Sequence, residues 1–171
     1  EDLSVEDLQL FHDAVIFAYG ASSDKKLNIP GEDLIGSHPA TEFISWYNGH
    51  PEHQHHQYDL SSEDAVIVGQ GNVALDVARI LCRTVDELKT TDITQQALDV
   101  LATSKIKRVH LVGRRGPVQA SFTTMEIREF GALADCYPVV NANDLVLNEV
   151  SLAEYNFPEY ILRKKNYDIL T

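Results

Sequence analysis

Apolar positions in this chain come in short blocks whose period changes from one block to the next. Residues 65–68 (AVIV) are an unbroken apolar run, and residues 108–112 (RVHLV) form a second run that stops at Gly113. Short β-branched runs bounded by glycine predict buried strands. Between them Leu75, Val77, Ala78, Leu81 and Cys82 recur with helical spacing. Ile93, Ala97, Val100 and Leu101 do the same and predict a second helix, with Asp92 as its N-cap. Residues 84–91 are polar and read as a loop. Strand, helix, strand is the unit of a parallel sheet.

The flanks carry weaker patterns. Residues 13–19 (DAVIFAY) run apolar into Gly20 and predict another buried strand. Ser4 is placed to cap a helix reaching Phe11, with Asp7 as the reciprocal partner of a capping box. Thr41 is expected to cap a helix bearing Phe43, Ile44, Trp46 and Tyr47. Beyond Met125, residues 126–130 read as helix, 137–140 as a strand, and 145–152 as ambiguous. There is no internal repeat. The fold class expected is α/β, a Rossmann-like parallel sheet with flanking helices.

Composition narrows the function. The chain has 171 residues, 44% hydrophobic and 23% charged, the balance of a globular domain with a sizeable core. No apolar run approaches the roughly 18 to 20 residues of a transmembrane segment, and no basic-then-apolar signal pattern opens the chain. The start on Glu1, Asp2 and Leu3, without Met, suggests a fragment or an excised domain. A net charge of −12 argues against nucleic acid and anionic membrane as partners, since both require a cationic face. Lys105, Lys107, Arg108, Arg114, Arg115 and Arg128 nevertheless fall close together in sequence, which suggests an anionic ligand at a defined place. Cys82 and Cys136 are far apart in sequence and read as isolated thiols, Cys82 as a small core hydrophobe. His50, His53, His55 and His56 invite a metal reading. Without cysteine or an evident acidic partner set, and beside Pro51 and several glutamines, they read as a solvated loop instead.

The chemistry concentrates at one point. Gly69, Gln70, Gly71, Asn72, Val73 and Ala74 follow the first strand directly and open the first helix, which is the context the dinucleotide fingerprint GxGxxA requires. Gly69 allows a tight turn, Gly71 lets backbone approach a pyrophosphate, and Ala74 permits close packing of helix on strand. Free N–H groups at the helix start favour phosphate. At the end of the second strand, where a NAD site usually carries an acid, this chain has Arg114 and Arg115. Guanidinium groups hold a 2′-phosphate bidentately, so NADP is favoured over NAD.

Taken together, GQGNVALDVARIL (from Gly69), TDIT (from Thr91), VGRRGP (from Val112) and FTTMEIRE (from Phe122) resemble the adrenodoxin reductase family, as do NIPGEDL (from Asn28) and WYNGHPE (from Trp46). The resemblance runs to about residue 130 and is loose beyond Phe130. It implies two Rossmann-like domains, with residues 1–27 a partial segment of the FAD domain and 28–171 an NADP(H)-binding domain incomplete at its C-terminal end. It places the FAD-binding glycine motif before residue 1. It also implies that residues 70–73 contact pyrophosphate, that Arg114 and Arg115 hold the 2′-phosphate, and that Glu126 serves the adenosine end. Arg128, Lys164 and Lys165 match basic positions that dock an acidic iron–sulfur ferredoxin, the lysines in the poorly matching tail. Asp76 is a candidate catalytic helper, or else a carboxylate that favours the helix dipole.

The implied reaction passes a hydride from NADPH to FAD and single electrons on to ferredoxin, with the protein placing its cofactors. The fragment by itself is expected to be inactive. Two alternatives stay open: a stand-alone NADP(H)-binding module without catalysis, and a flavin reductase resembling the glutamate synthase small subunit. The expected compartment is the bacterial cytoplasm, with the mitochondrial matrix as alternative.

Overall fold

The computed structural model describes residues 3–18, 20, 21 and 23–171. Helix α1 (Val5–Phe11) starts with the expected capping box: the Asp7 amide donates to Ser4 Oγ at 3.1 Å, and the Ser4 amide donates to the Asp7 carboxylate at 2.9 Å. None of its residues is buried. Residues 13–18 form no strand, and Tyr19 lies outside the described residues. Ile16 and Phe17 are exposed, and a strand needs a neighbouring strand to satisfy its backbone.

Helix α2 (Ala40–Tyr47) has Pro39 and not Thr41 at its N-cap position. Thr41 sits in the first turn, where its amide donates to the Asp24 carboxylate at 3.2 Å; an acid reaching in from a distant loop replaces a local cap. Strand β1 (Asp64–Val68) leads into helix α3 (Asn72–Cys82). Residues 84–91, expected as loop, contain the single-turn helix α4 (Val85–Leu88), closed by a Thr84–Glu87 capping box and anchored by Leu88, which is wholly buried. The cap of helix α5 (Gln95–Leu101) is Thr94 and not Asp92, its hydroxyl accepting from the Ala97 amide. Strand β2 (Arg108–Val112) follows. Helix α6 (Thr124–Glu129) covers most of the expected segment, and Phe130 belongs to a following 3₁₀ turn. Residues 137–140 are not a strand; Tyr137 and Val139 project into solvent with no strand beside them among the described residues. Helices α7 (Glu149–Tyr155) and α8 (Ile161–Leu170) complete the described elements.

The sheet consists of β1 and β2 paired in parallel, in a register running from Asp64↔Arg108 to Val68↔Val112. Its faces differ. Ile67, Val109 and Leu111 turn toward α3, whereas Val66, Val68 and Val112 are exposed. The uninterrupted apolar runs fit a sheet coverable on both faces, of which the described residues cover one.

Helix α3 is the centre of the core. Val77 and Ile80 pack with Phe43, Trp46, Tyr47, Tyr58, Leu88 and Leu98 on one side. Leu75 and Ala78 pack with Ala120, Phe122 and Phe130 on the other. A helix enclosed on two sides is apolar through most of its circumference, as the sequence of α3 is. Cys82, at the end of α3, and Cys136 are both free thiols, as expected, and lie near one another; burial, then the neighbouring Cys136, pushes the Cys82 thiol up to about 12.

Because Leu88 fills a closed site while Val66 faces solvent, Leu88→Ala should lower unfolding free energy by about 2–5 kcal/mol and Val66→Ala by well under about 1 kcal/mol. Urea unfolding of the two variants at unchanged m-value checks this, and similar losses for both would contradict the packing described.

Candidate functional site

Parallel pairing brings the carboxyl ends of β1 and β2 to one edge, and the candidate site is built there. Beyond Val68 the ladder continues for one bond, the Gly69 amide donating to Val112 O at 2.9 Å. Gly69 then turns with φ 154°, where a side chain is strained, and a Cβ on it would lie 3.4 Å from the Cβ of Ala74. The close strand–helix approach expected of this glycine–alanine pair is present. Gly71 is the N-cap of α3 and provides no side-chain cap. The first amides of the helix are therefore uncapped by a side chain, with Asn72 and Val73 at the exposed surface.

The second strand delivers its arginines to the same place. A Cβ on Gly113 would fall 2.0 Å from Cδ of Gln70, so the fingerprint loop lies directly against the residue that precedes Arg114. Arg114 and Arg115 are exposed, and neither has an ion-pair or hydrogen-bond partner among the described residues. The basic run seen in sequence is divided by the strand. At its opposite end Lys107 pairs with Glu63 at 2.6 Å and Arg108 with Asp64 at 2.6 Å. Hydrogen bonds from Arg108 and His110 hold the Asp64 carboxyl well below the usual carboxylate range. Among the described residues of the two strands, unpaired positive charge stands at the Arg114–Arg115 end, beside the fingerprint turn.

A third segment closes over the loop. The Ser121 amide and hydroxyl both donate to Gln70 O, at 2.9 and 3.1 Å, and the Thr123 amide donates to Asn72 Oδ1 at 2.8 Å. Asn72 thus spends its side chain on fixing the entry to α6. Thr123 caps α6, and Glu126 in its first turn is brought over α3.

There Arg79 collects three carboxylates: Asp76 at 2.6 Å, Glu126 at 2.7 Å and Glu129 at 2.6 Å. Burial opposes the Arg79 charge, yet the hydrogen bonds of Asp76 and Glu126 and the Glu129 charge raise its pKa above the ordinary value. On its other side Asp76 accepts from the Tyr47 hydroxyl at 2.5 Å. Burial, reinforced by Asp76, raises the Tyr47 pKa well above the tyrosine range, so it remains a donor. Tyr47, Asp76, Arg79 and Glu129 line an open cleft of about 330 Å³. Asp76 and Glu126 are thereby joined through one guanidinium. Arg79, Tyr47 and Ser121 were not singled out from sequence; Arg79 at three residues after Asp76 was the available signal, since that spacing pairs on a helix.

Arg128 is exposed on α6 and without a partner among the described residues. Helix α8 packs on α6 through buried Asn166, whose amide donates to Phe122 O at 2.6 Å and whose oxygen accepts from Thr124 at 2.8 Å. Lys164 and Lys165, from a tail where the sequence patterns were weak, thus lie on the helix adjoining Arg128. Lys164 stands over the Tyr155 ring at 4.9 Å and both lysines are exposed.

No protein-family model matches the chain. Known proteins do. The mitochondrial NADPH:adrenodoxin oxidoreductase of Arabidopsis thaliana is 46% identical over 171 residues, covering 99% of this chain and 35% of that protein. The NADPH-ferredoxin reductase FprA of Mycobacterium tuberculosis is 50% identical over 145 residues, covering 85% of this chain and 32% of its own. The solved structure of that FprA in complex with NADPH superposes with a TM-score of 0.81 at 45% identity, covering 98% of this chain and 36% of that one. The chain spans about a third of the length of these relatives. By sequence along nearly its whole length, and by a shared fold, it belongs to the adrenodoxin reductase family of NADPH–ferredoxin reductases.

Proposed function

We propose that this chain is the NADP(H)-binding part of a FAD-dependent ferredoxin–NADP reductase. One observation carries the reading: the glycine turn at the start of α3 and the unpaired Arg114 and Arg115 meet at one sheet edge, with Gln70 packed against Gly113. An anion-binding helix start and two free guanidinium groups suit a pyrophosphate and a 2′-phosphate. Residues 69–74 would hold the pyrophosphate; Arg114 and Arg115 would hold the 2′-phosphate and repel nothing there. Glu126 and Asp76, braced by Arg79 and Tyr47, keep a fixed carboxylate wall beside the turn, so Asp76 enters as a positioning residue. When both cofactors are bound, NADPH supplies a hydride that FAD accepts and releases as single electrons.

Residues 1–27 are read as belonging to the FAD domain. The exposure of Leu10, Phe11, Ile16 and Phe17 supports this, since apolar side chains of that density call for a covering surface. The acidic ferredoxin is assigned to the face shared by α6 and α8, where Arg128, Lys164 and Lys165 stand exposed. Among the described residues no helix is long and apolar enough to cross a membrane. Relatives come from mitochondria and from a bacterium, and we place this chain with the bacterial, cytoplasmic form.

Two measurements test the reading. Replacing Arg114 and Arg115 together with alanine should weaken NADP+ binding by about 2–4 kcal/mol and NAD+ binding hardly at all. Calorimetry showing equal losses for both nucleotides would remove the arginines from 2′-phosphate recognition. In the full-length enzyme, Arg128→Glu should slow ferredoxin reduction most at low salt, where a rim charge acts on association, and leave reduction of a small artificial acceptor unchanged. An unaltered salt slope in stopped-flow reduction would take Arg128 out of the docking face.

A further inference from the structure

The loop between α2 and β1 has an ordered backbone beneath its histidines. Gly49 ends α2 with φ 77°, and a Cβ on it would meet Thr94 Cγ2 at 2.7 Å, so only glycine fits the turn. From there the His50 amide donates to Ser45 O at 2.8 Å, the His53 amide to His50 O at 2.9 Å and the His56 amide to His53 O at 3.0 Å. The Gln96 side chain donates to Gln54 O, tying the outer end of the loop to α5. Most of the stretch is exposed and in turns, as a solvated loop would be, but its backbone is held in place.

On this frame one potential ligand atom from each of His50, Glu52 and His53 lies within 4.8 Å of the others. Zinc bonds of about 2.0–2.2 Å put tetrahedral ligand atoms about 3.3–3.6 Å apart, a closure within reach of side-chain rotation on a fixed backbone. His53 adds an independent sign. Its Nδ1 is shut off from solvent and has no hydrogen-bond partner, a state polar groups rarely keep, and coordination would give that ring a partner that water cannot. His50 Nδ1 accepts from the Glu52 amide at 3.3 Å, a long bond, so a metal competes with little for the lone pair of that ring. His56 faces Glu42 at 3.6 Å and stays outside the set.

We propose that His50, Glu52 and His53 form a binding site for a divalent transition metal of the zinc class, with a fourth position open to water. Two imidazoles and one carboxylate suit zinc, whereas magnesium and calcium demand all-oxygen shells. A bound ion pins the turn that ends α2, the helix whose Tyr47 holds Asp76, and so stabilises the folded state by selective binding.

The test is calorimetry with ZnCl2 on the chain in a chelator-free, weakly coordinating buffer, paired with Co2+ absorption spectra. The expected result is one ion per chain, tetrahedral Co2+ bands without a thiolate charge-transfer band, and a Tm that rises with zinc. His53→Gln and Glu52→Gln should each weaken zinc binding by about tenfold or more, and His50→Gln with His53→Gln should abolish it. The metal-free Tm of each variant should match that of the parent chain, which separates loss of a ligand from loss of the fold. Absence of saturable binding, or binding retained in the double variant, overturns the proposal. So does a thiolate band, which would place the ion on Cys82 and Cys136.

Discussion

The parallel pairing of β1 with β2 is the constraint on which the rest depends. Because both strands run the same way in a fixed register, both carboxyl ends emerge at one edge. Residues 69–74 and 113–115, separated in sequence by the rest of α3, by α4, α5 and β2, become neighbours for that reason. Antiparallel pairing would put the arginines beside Asp64 and Glu63, where carboxylates already neutralise Lys107 and Arg108. Strand direction thus decides which cations remain free for a ligand. A chain of net charge −12 can in this way present local positive charge at one place, through local geometry and not through overall charge.

A second constraint keeps the edge shaped. Helix α3 starts at the glycine turn and carries Asp76 and Arg79 on its open side, so its position sets the cleft. Two apolar clusters hold α3 from either side, and the Arg79 network ties it to α6. A guanidinium that is largely buried and met by three carboxylates is costly to leave unpaired, so α6 is held near α3. The same network carries an excess of negative charge. That excess lies one turn beyond the helix start and leaves the amides of Asn72 and Val73 open to phosphate.

The sequence was legible wherever local pattern and tertiary context agree. The two strands, the fingerprint turn and the Ser4–Asp7 cap follow from short-range chemistry and appear in the structure. Thr41 and Asp92 misled because capping is decided by which side chain reaches the amides; Asp24 came from afar for one helix and Thr94 stood closer for the other. Residues 13–18 and 137–140 have strand-like composition but find no neighbouring strand, a condition that no local window contains. Leu88 made a buried turn of what looked like a polar loop, because a single apolar residue among charges carries no periodicity. The contacts of Ser121 and Thr123 with the fingerprint segment, and of Arg79 with Glu126, span more than forty residues of sequence, and only folding reveals them.

In the function proposed, one sheet edge reads a 2′-phosphorylated adenosine through an uncapped helix start and two arginines. Titration of isotopically labelled chain with 2′,5′-ADP, followed by amide and arginine Nε resonances, tests it most directly. The amides of Gly71, Asn72 and Val73 and the side chains of Arg114 and Arg115 should shift along one saturation curve, with 5′-AMP binding far more weakly. Shifts confined to other residues, or equal affinity for the two nucleotides, would contradict it.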